Sequence, residues 1–218
     1  AIPGRANRFL ARSADEIFVG FEAATRHFRG CTTVTGTPVR AAFRKQSSTN
    51  NEPLLLVTGG SQGARAINRL VVEAKLTDLP ILHLCGEHDL DEVKTACAKH
   101  SAPAEIHAFY EDMPSALAQA SLVISRAGAS SLAELAAARV PAILIPLPNA
   151  VDDHQRANAR AAEQSGGAIV LEQDEIKPDD LAKLVRGLVD DPVRLKKMAK
   201  AIRELDAPDS ARHIAGRI

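Results

Sequence analysis

From residue 54 onward, short apolar runs alternate with longer stretches whose apolar residues recur at helical spacing. The runs predict strands over 54–58, 81–85, 105–109, 122–125, 142–146 and 168–171. The stretches between and after them predict helices over 64–74, 90–100, 114–120, 131–139, 153–164, 179–189 and 193–205. Repeated β-then-α units of this length imply an α/β fold with a doubly wound parallel sheet. Most of the strand segments lack polar alternation, so both faces of the sheet should be covered by helices. Upstream, a strand is expected over 15–19, a helix over 21–28 and a strand over 32–35. A break follows at Gly36-Thr37-Pro38-Val39-Arg40, and the polar, aperiodic stretch 45–53 reads as a linker. A last helix over 210–218 follows a break at Pro208. The chain therefore divides into 1–44, 45–205 and 206–218.

Charge and cysteine content narrow the possibilities. Lys+Arg and Asp+Glu both number 27. No basic excess favours a nucleic-acid surface, although a local anion site is compatible with the balance. The cysteines (Cys31, Cys85, Cys97) are odd in number and form no CxxC pair, which fits a reducing cytosolic compartment better than a disulfide framework. No signal peptide is evident, and no apolar run approaches the ~18 residues needed to cross a bilayer. The opening Ala1-Ile2-Pro3-Gly4 has no initiating Met and reads as an internal turn, so a preceding segment is expected.

In a parallel sheet ligands bind beyond the carboxyl ends of the strands, so the loops after each strand are the places to look for chemistry. The strand over 54–58 runs into Gly59-Gly60-Ser61-Gln62-Gly63-Ala64-Arg65 and then a helix. Glycines permit close backbone approach and a helix start offers free N–H groups, a combination suited to a pyrophosphate. The plain alternative is a tight turn with Ser61 as N-cap. The same segment also matches a G-x-S-x-G nucleophile elbow, with His154 or His213 as nominal partners. That serine-hydrolase reading lacks an upstream oxyanion loop.

The second loop, Arg126-Ala127-Gly128-Ala129-Ser130-Ser131-Leu132-Ala133-Glu134, admits two readings. Ser131 and Glu134 have capping-box spacing. Alternatively, Glu134 accepts hydrogen bonds from a ribose diol while the N–H groups of Ala129 to Leu132 face a phosphate or sugar. In the third loop, His154, Gln155 and Asn158 near one helix start offer neutral donors and acceptors for sugar hydroxyls, and Asp152 and Asp153 complement the helix dipole. Asp89-Leu90-Asp91 resembles a metal-binding DxD but sits at a helix start, where aspartates are ordinary caps. The histidines show no HExxH or i, i+4 pair, so no metal site is expected.

Taken in order, five segments resemble the MurG family of bacterial cell-wall N-acetylglucosaminyltransferases. They are Gly36-Thr37-Pro38-Val39-Arg40, Gly59 through Arg65, Phe109-Tyr110-Glu111-Asp112-Met113, Arg126-Ala127-Gly128-Ala129 with Glu134, and Pro146 through His154-Gln155 to Asn158. The resemblance spans almost the whole chain, and the set is specific where each segment alone is not. It implies a GT-B architecture of two Rossmann-like lobes. Residues 1–44 would be a remnant of the acceptor lobe and hinge, 45–205 the UDP-GlcNAc-binding lobe, and 206–218 a C-terminal helix.

The resemblance also assigns roles. Gly60, Ser61 and Gln62 would hold the UDP pyrophosphate, and Arg40 would reach the donor from the hinge. The Tyr110 backbone would pair with uracil. Ala129, Ser130, Ser131, Leu132 and Ala133 would line phosphate and sugar, and Glu134 would bind the ribose. Gln155, with His154 and Asn158, would hold GlcNAc. The implied reaction is an inverting, metal-independent transfer of GlcNAc from UDP-GlcNAc to a lipid-linked muramoyl-pentapeptide, with no cofactor. It would take place at the cytoplasmic face of the plasma membrane, contacted through the missing lobe. No catalytic base is implied within this chain, which would bind donor without completing transfer. A naturally separate donor-binding subunit of a two-chain transferase is the alternative. Arg5, Arg8 and Arg12 among Ile2, Phe9 and Leu10 have the makings of a basic amphipathic patch, although the favoured reading is that they would face the missing lobe. Two departures stand out: Thr37 replaces the family's usual Asn, and Ala127 its usual Ser.

Overall fold

The structure is a computed structural model that describes residues 2–45, 52–60, 64–100, 103–148 and 153–218. Ser61, Gln62, Asp152 and most of the expected linker lie outside the described residues.

Among the described residues eight strands fall into two parallel sheets. β1 (Ile17–Val19) and β2 (Thr32–Val34) pair with each other. β3 (Leu55–Thr58), β4 (Ile81–Leu84), β5 (Ala104–His107), β6 (Leu122–Ser125), β7 (Ala142–Leu144) and β8 (Ala168–Val170) form a six-stranded sheet in the order β5-β4-β3-β6-β7-β8. This is the doubly wound order, whose winding reverses between β3 and β6. There Thr58 pairs in register with Leu84 on one side and Ser125 on the other. The expected parallel α/β sheet is present, with the expected strands in sequence order.

Helices cover both faces of the large sheet. On one side, Leu55 and Val57 meet α2 (Arg65–Glu73), α7 (Pro178–Val189) and α8 (Pro192–Ile202) through Ile67, Val71, Leu181, Val185, Leu188 and Met198. On the other, Leu56, Leu82, Leu84 and Val123 pack with α4 (Met113–Gln119), α5 (Ala129–Ala138) and α6 (His154–Ser165), and Phe43 joins this layer from the upstream segment. The continuous apolar character of β3 and β6 follows from burial on both faces. α3 (Leu90–Lys99) packs beside α2 and β5.

The upstream segment is tied to the chain's end. The expected helix over 21–28 is a 3-10 helix, Glu22–His27. After the opening turn comes α1 (Arg5–Leu10), with Phe9 and Leu10 exposed and the Arg12 guanidinium stacked over the Phe9 ring. α9 (Ser210–Ala215) is shorter than the helix expected over 210–218. Beside it, Ser210 Oγ donates to Gly36 O at 3.0 Å. Farther along, the Arg217 guanidinium donates to both oxygens of Glu16, at 3.2 and 2.7 Å. Gly36 has φ +79°, a left-handed backbone that glycine adopts without penalty.

Candidate functional site

A cavity of about 310 Å³ opens at the reversal point of the sheet. Leu84, Leu117, Val123 and Leu135 form an apolar floor, while Thr58, Gly60, Ser125, Ser130, Ser131 and Glu134 make one polar wall. Phe109, Tyr110 and Met113 close the opposite side, with Phe109 69% exposed. The strand order creates this site. β3 and β6 are neighbours, yet the segments leaving them lead to helices on opposite faces of the sheet, so their ends part into a crevice.

The start of α5 supplies Ser130, Ser131 and Glu134 of the polar wall, and the ends of β3 and β6 the rest. Gly128 is the N-cap, extended at φ −67° and ψ 145°, and no side chain caps the helix. The capping box expected of Ser131 and Glu134 is therefore not formed. The helix begins two residues before Ser131, which places Ser131 in its first turn and Glu134 a turn further in. Because neither residue caps the helix, both line the cavity. The uncapped N–H groups of the first turn carry the positive end of the helix dipole. Glu134 is half-buried. Burial pushes its carboxyl above the usual range, and the nearby positive charge of Arg40 partly opposes that rise. The same Arg40 charge reaches Asp112, whose carboxyl is held low mainly by the Ser115 hydroxyl and backbone N–H.

On the opposite wall, Asp112 caps α4 by accepting from Ser115 N at 3.2 Å. This fixes the turn that carries Tyr110. The Tyr110 ring meets His107 edge-on with centroids 5.4 Å apart, and His107 is bonded to Glu105 at 2.6 Å. Phe109, Met113, Thr58 and Ser125 also line the cavity but were not nominated from the sequence. Thr58 and Ser125 end β3 and β6, and Phe109 and Met113 lie in and just after the loop that follows β5, so position after a strand is the signal that could have found them.

The residues nominated around the third loop are arranged differently. Gln155 Oε1 accepts from Leu147 N at 3.0 Å, closing the loop onto α6. Asn158, only 2% exposed, donates to Ala127 O at 2.9 Å, and among the described residues its buried Oδ1 has no hydrogen-bond partner. His154 opens α6, and Asp153 at its N-cap pairs with Arg156 rather than with the helix. Gln155, His154 and Asn158 are not among the residues that line the 310 Å³ cavity. Arg126 braces this side. Its half-buried guanidinium donates to Ile145 O and Pro146 O at 3.0 and 3.1 Å and to Gln173 Oε1 at 2.7 Å.

Below the Gly59–Arg65 loop lies a buried polar network. α2 has Ala64, not Ser61, at its N-cap. Arg65 Nε donates to Asp89 Oδ1 at 2.9 Å. Asn68 Nδ2 donates to Asp89 Oδ2 and Cys85 O, both at 2.8 Å. With its amide hydrogens engaged, Asn68 Oδ1 must accept from His83 Nε2 at 2.9 Å, which assigns the ring as the neutral Nε2–H tautomer. Burial pushes His83 down to about 4. Burial raises Asp89, but the bonds from Asn68 and Arg65 outweigh it and hold the carboxyl low. Asp89 stands at the N-cap of α3 but makes no side-chain cap, contrary to expectation. Its carboxylate ties the start of α3 to α2 instead, and Asn68 carries the network on to His83 of β4.

A doubly wound parallel sheet with a crevice at its winding reversal and helix starts beside it is a Rossmann-like α/β lobe of the kind GT-B glycosyltransferases contain. Residues 54–214 match the glycosyltransferase family 28 C-terminal domain, and the chain belongs to that family. It is 40% identical over 228 residues to the UDP-N-acetylglucosamine--N-acetylmuramyl-(pentapeptide) pyrophosphoryl-undecaprenol N-acetylglucosamine transferase of Geobacter sulfurreducens, covering 98% of this chain and 63% of that protein. The protein of the same name from Caulobacter vibrioides is 38% identical over 230 residues, covering 99% and 64%. Acinetobacter baumannii MurG superposes with a TM-score of 0.81 at 32% identity, covering the whole of this chain and 64% of that one. Phytolacca americana UGT2, at 18% identity and a TM-score of 0.65 over 94% of this chain and 52% of that one, shares the fold. The chain thus spans about three fifths of the length of the curated relatives it matches. Family membership sets the serine-hydrolase alternative aside.

Proposed function

We propose that this chain is the donor-binding lobe of an inverting transferase. In this reading the enzyme moves GlcNAc from UDP-GlcNAc to undecaprenyl-pyrophosphoryl-MurNAc-pentapeptide. The observation that carries the reading is the placement of Tyr110, Glu134 and the start of α5 around one cavity at the winding reversal. An apolar floor of Leu84, Leu117, Val123 and Leu135 suits uracil against the Tyr110 turn. The Glu134 carboxylate, uncommitted to a cap, accepts from the ribose hydroxyls. The first-turn N–H groups of α5 and the Gly59–Gly63 loop receive the diphosphate, with Arg40 adding charge from the upstream segment.

Transfer breaks the anomeric C–O bond, and negative charge accumulates on the departing UDP. N–H donors and helix dipoles fixed toward that charge stabilise it without reorganisation. Gln155, His154 and Asn158 belong to the sugar side. Arg126 and the Gln155–Leu147 bond hold that loop for the hexose. The group that deprotonates the acceptor hydroxyl, and the contacts to the lipid-linked acceptor, belong to a lobe preceding residues 1–44. That lobe would place the reaction at the cytoplasmic face of the plasma membrane. Among the described residues no helix is long and apolar enough to cross a membrane.

Calorimetry tests the donor reading. UDP-GlcNAc should bind in the presence of a chelator, with UDP-glucose weaker and NAD absent. Glu134→Ala should weaken UDP by roughly 30- to 100-fold, the range of losing hydrogen bonds to a charged group. Its effect on inorganic pyrophosphate should stay within about twofold. A folded sample that binds no uridine nucleotide, or a variant that loses pyrophosphate as strongly as UDP, overturns the assignment.

A further inference from the structure

Two asparagines are buried in this lobe, and they are satisfied differently. Asn68 commits its amide hydrogens and its oxygen alike. Asn158 gives one Nδ2–H to Ala127 O, and its buried Oδ1 has no partner among the described residues. Its surroundings are apolar, with Ala127, Ala159 and Ala162 fully buried in the same layer. An unpaired amide oxygen there costs free energy that an apolar side chain would avoid. Turning the amide over brings no relief, because its oxygen would then face the Ala127 oxygen. What the position gains from asparagine is the bond to Ala127.

That carbonyl decides where α5 starts. In an α-helix each N–H bonds the carbonyl four residues back. Leu132 N donates to Gly128 O at 2.9 Å, which makes Gly128 the N-cap, while Ala127 O is held by Asn158 instead of by Ser131 N. With Ala127 O released, Ser131 N would take it and α5 would begin one residue earlier. The Ser131 N–H would then be spent inside the helix. In the observed fold it belongs to the first-turn donors, and Ser131 lines the cavity. Asn158 lies one turn after Gln155, which accepts from Leu147 N. One face of α6 therefore grips the turns that follow β6 and β7.

We propose that Asn158 is a positioning residue for donor binding: it withholds the Ala127 carbonyl from α5 and so keeps the Ser131 N–H available to the donor diphosphate. The inference rests on the donor reading above. It also refines the place of Asn158 on the sugar side, since the residue acts through Ala127 without touching the hexose.

Asn158→Leu in the whole chain tests it, because leucine fills similar space and cannot donate. Amide exchange at Ser131 should slow, as its N–H now bonds Ala127 O, with the rest of α5 unchanged. UDP and inorganic pyrophosphate should each bind about 10-fold more weakly, the size of one hydrogen bond to a charged group. Uridine should stay within about twofold, and UDP-GlcNAc should lose the same factor as UDP. Asn158→Ala, well suited to a helix interior, should give the same readings where leucine is not accommodated. Faster exchange across α5 and α6 without slowing at Ser131 makes Asn158 a packing residue and overturns the proposal. A loss for UDP-GlcNAc well beyond that for UDP also overturns it, in favour of direct contact with the sugar. The two readings fail separately. A parent chain that binds no uridine nucleotide overturns the donor reading, whereas a binding parent whose variants keep its UDP affinity overturns the role of Asn158.

Discussion

Arg44 and Asp206, separated by 162 residues, meet in a two-point ion pair, Nε to Oδ2 at 3.0 Å and Nη2 to Oδ1 at 2.7 Å. Arg44 also donates to Val39 O at 3.2 Å. The segment entering the lobe is thus fastened to the segment leaving it, beside the stretch that carries Arg40. Paired geometry of this kind adds specificity as well as energy. Asp206→Ala should destabilise the chain by roughly 2–3 kcal/mol, because it strands a half-buried guanidinium. Urea titration checks this. Adding Arg44→Met to Asp206→Ala should cost less than the two single changes summed.

Gly36 tests the same junction through the backbone. A methyl group there would overlap Ala207 Cβ, and the left-handed φ would strain any other residue. Gly36→Ala should therefore cost at least about 2 kcal/mol. It should also loosen the end of the chain, seen as faster amide exchange around Ser210, whose hydroxyl is bonded to Gly36 O.

His83 gives the fold a pH dependence whose sign is fixed by burial. Its folded pKa of about 4 lies below the unfolded 6.5, so the unfolded chain takes up the proton first. The stability from this site is complete above the unfolded value and is lost as pH falls from 6.5 toward 4. The loss should reach about 3 kcal/mol. His83→Gln, whose amide can still donate to Asn68, should flatten that part of the stability profile. An unchanged slope in the variant assigns the titration to another group.

Donor binding should have its own acid limb. Ribose hydroxyls donate to a charged carboxylate, and burial raises the Glu134 pKa in the free protein. Affinity for UDP should then fall as pH drops through that raised value, at higher pH than for an ordinary glutamate. Arg40→Ala removes the charge that opposes the rise and should move the limb to still higher pH. Calorimetry across pH reads both. Uridine should follow the same limb and pyrophosphate should not.

Much of the fold is legible along the chain, because burial on both faces leaves a local signature in segments such as 54–58 and 122–125 and amphipathic spacing marks the helices between them. Other features depend on contacts that local spacing does not encode. The 3-10 helix at Glu22–His27 was read as an α-helix and α1 was not predicted, since short helices have little periodicity to detect. In the site, Glu134 and Tyr110 were found through motif order, whereas Thr58, Ser125 and Met113 carry no chemical label and were missed. Ser131 and Asp89 were read as caps from spacing that fits a cap equally well.

The sequence by itself determined an alternating α/β chain, glycine-bearing loops at strand ends and the polar residue types that stand beside them. Tertiary structure decided that β3 and β6 are neighbours, so that Thr58 meets Ser125 and a crevice opens above them. It also started α5 at Gly128, leaving Ser131 and Glu134 to face the cavity, and directed Asp89 to Arg65 and Asn68. The physical reason is range. Propensity and periodicity act within one element, while strand pairing, helix starts and buried polar partners are set by free energies of contact between elements far apart in sequence.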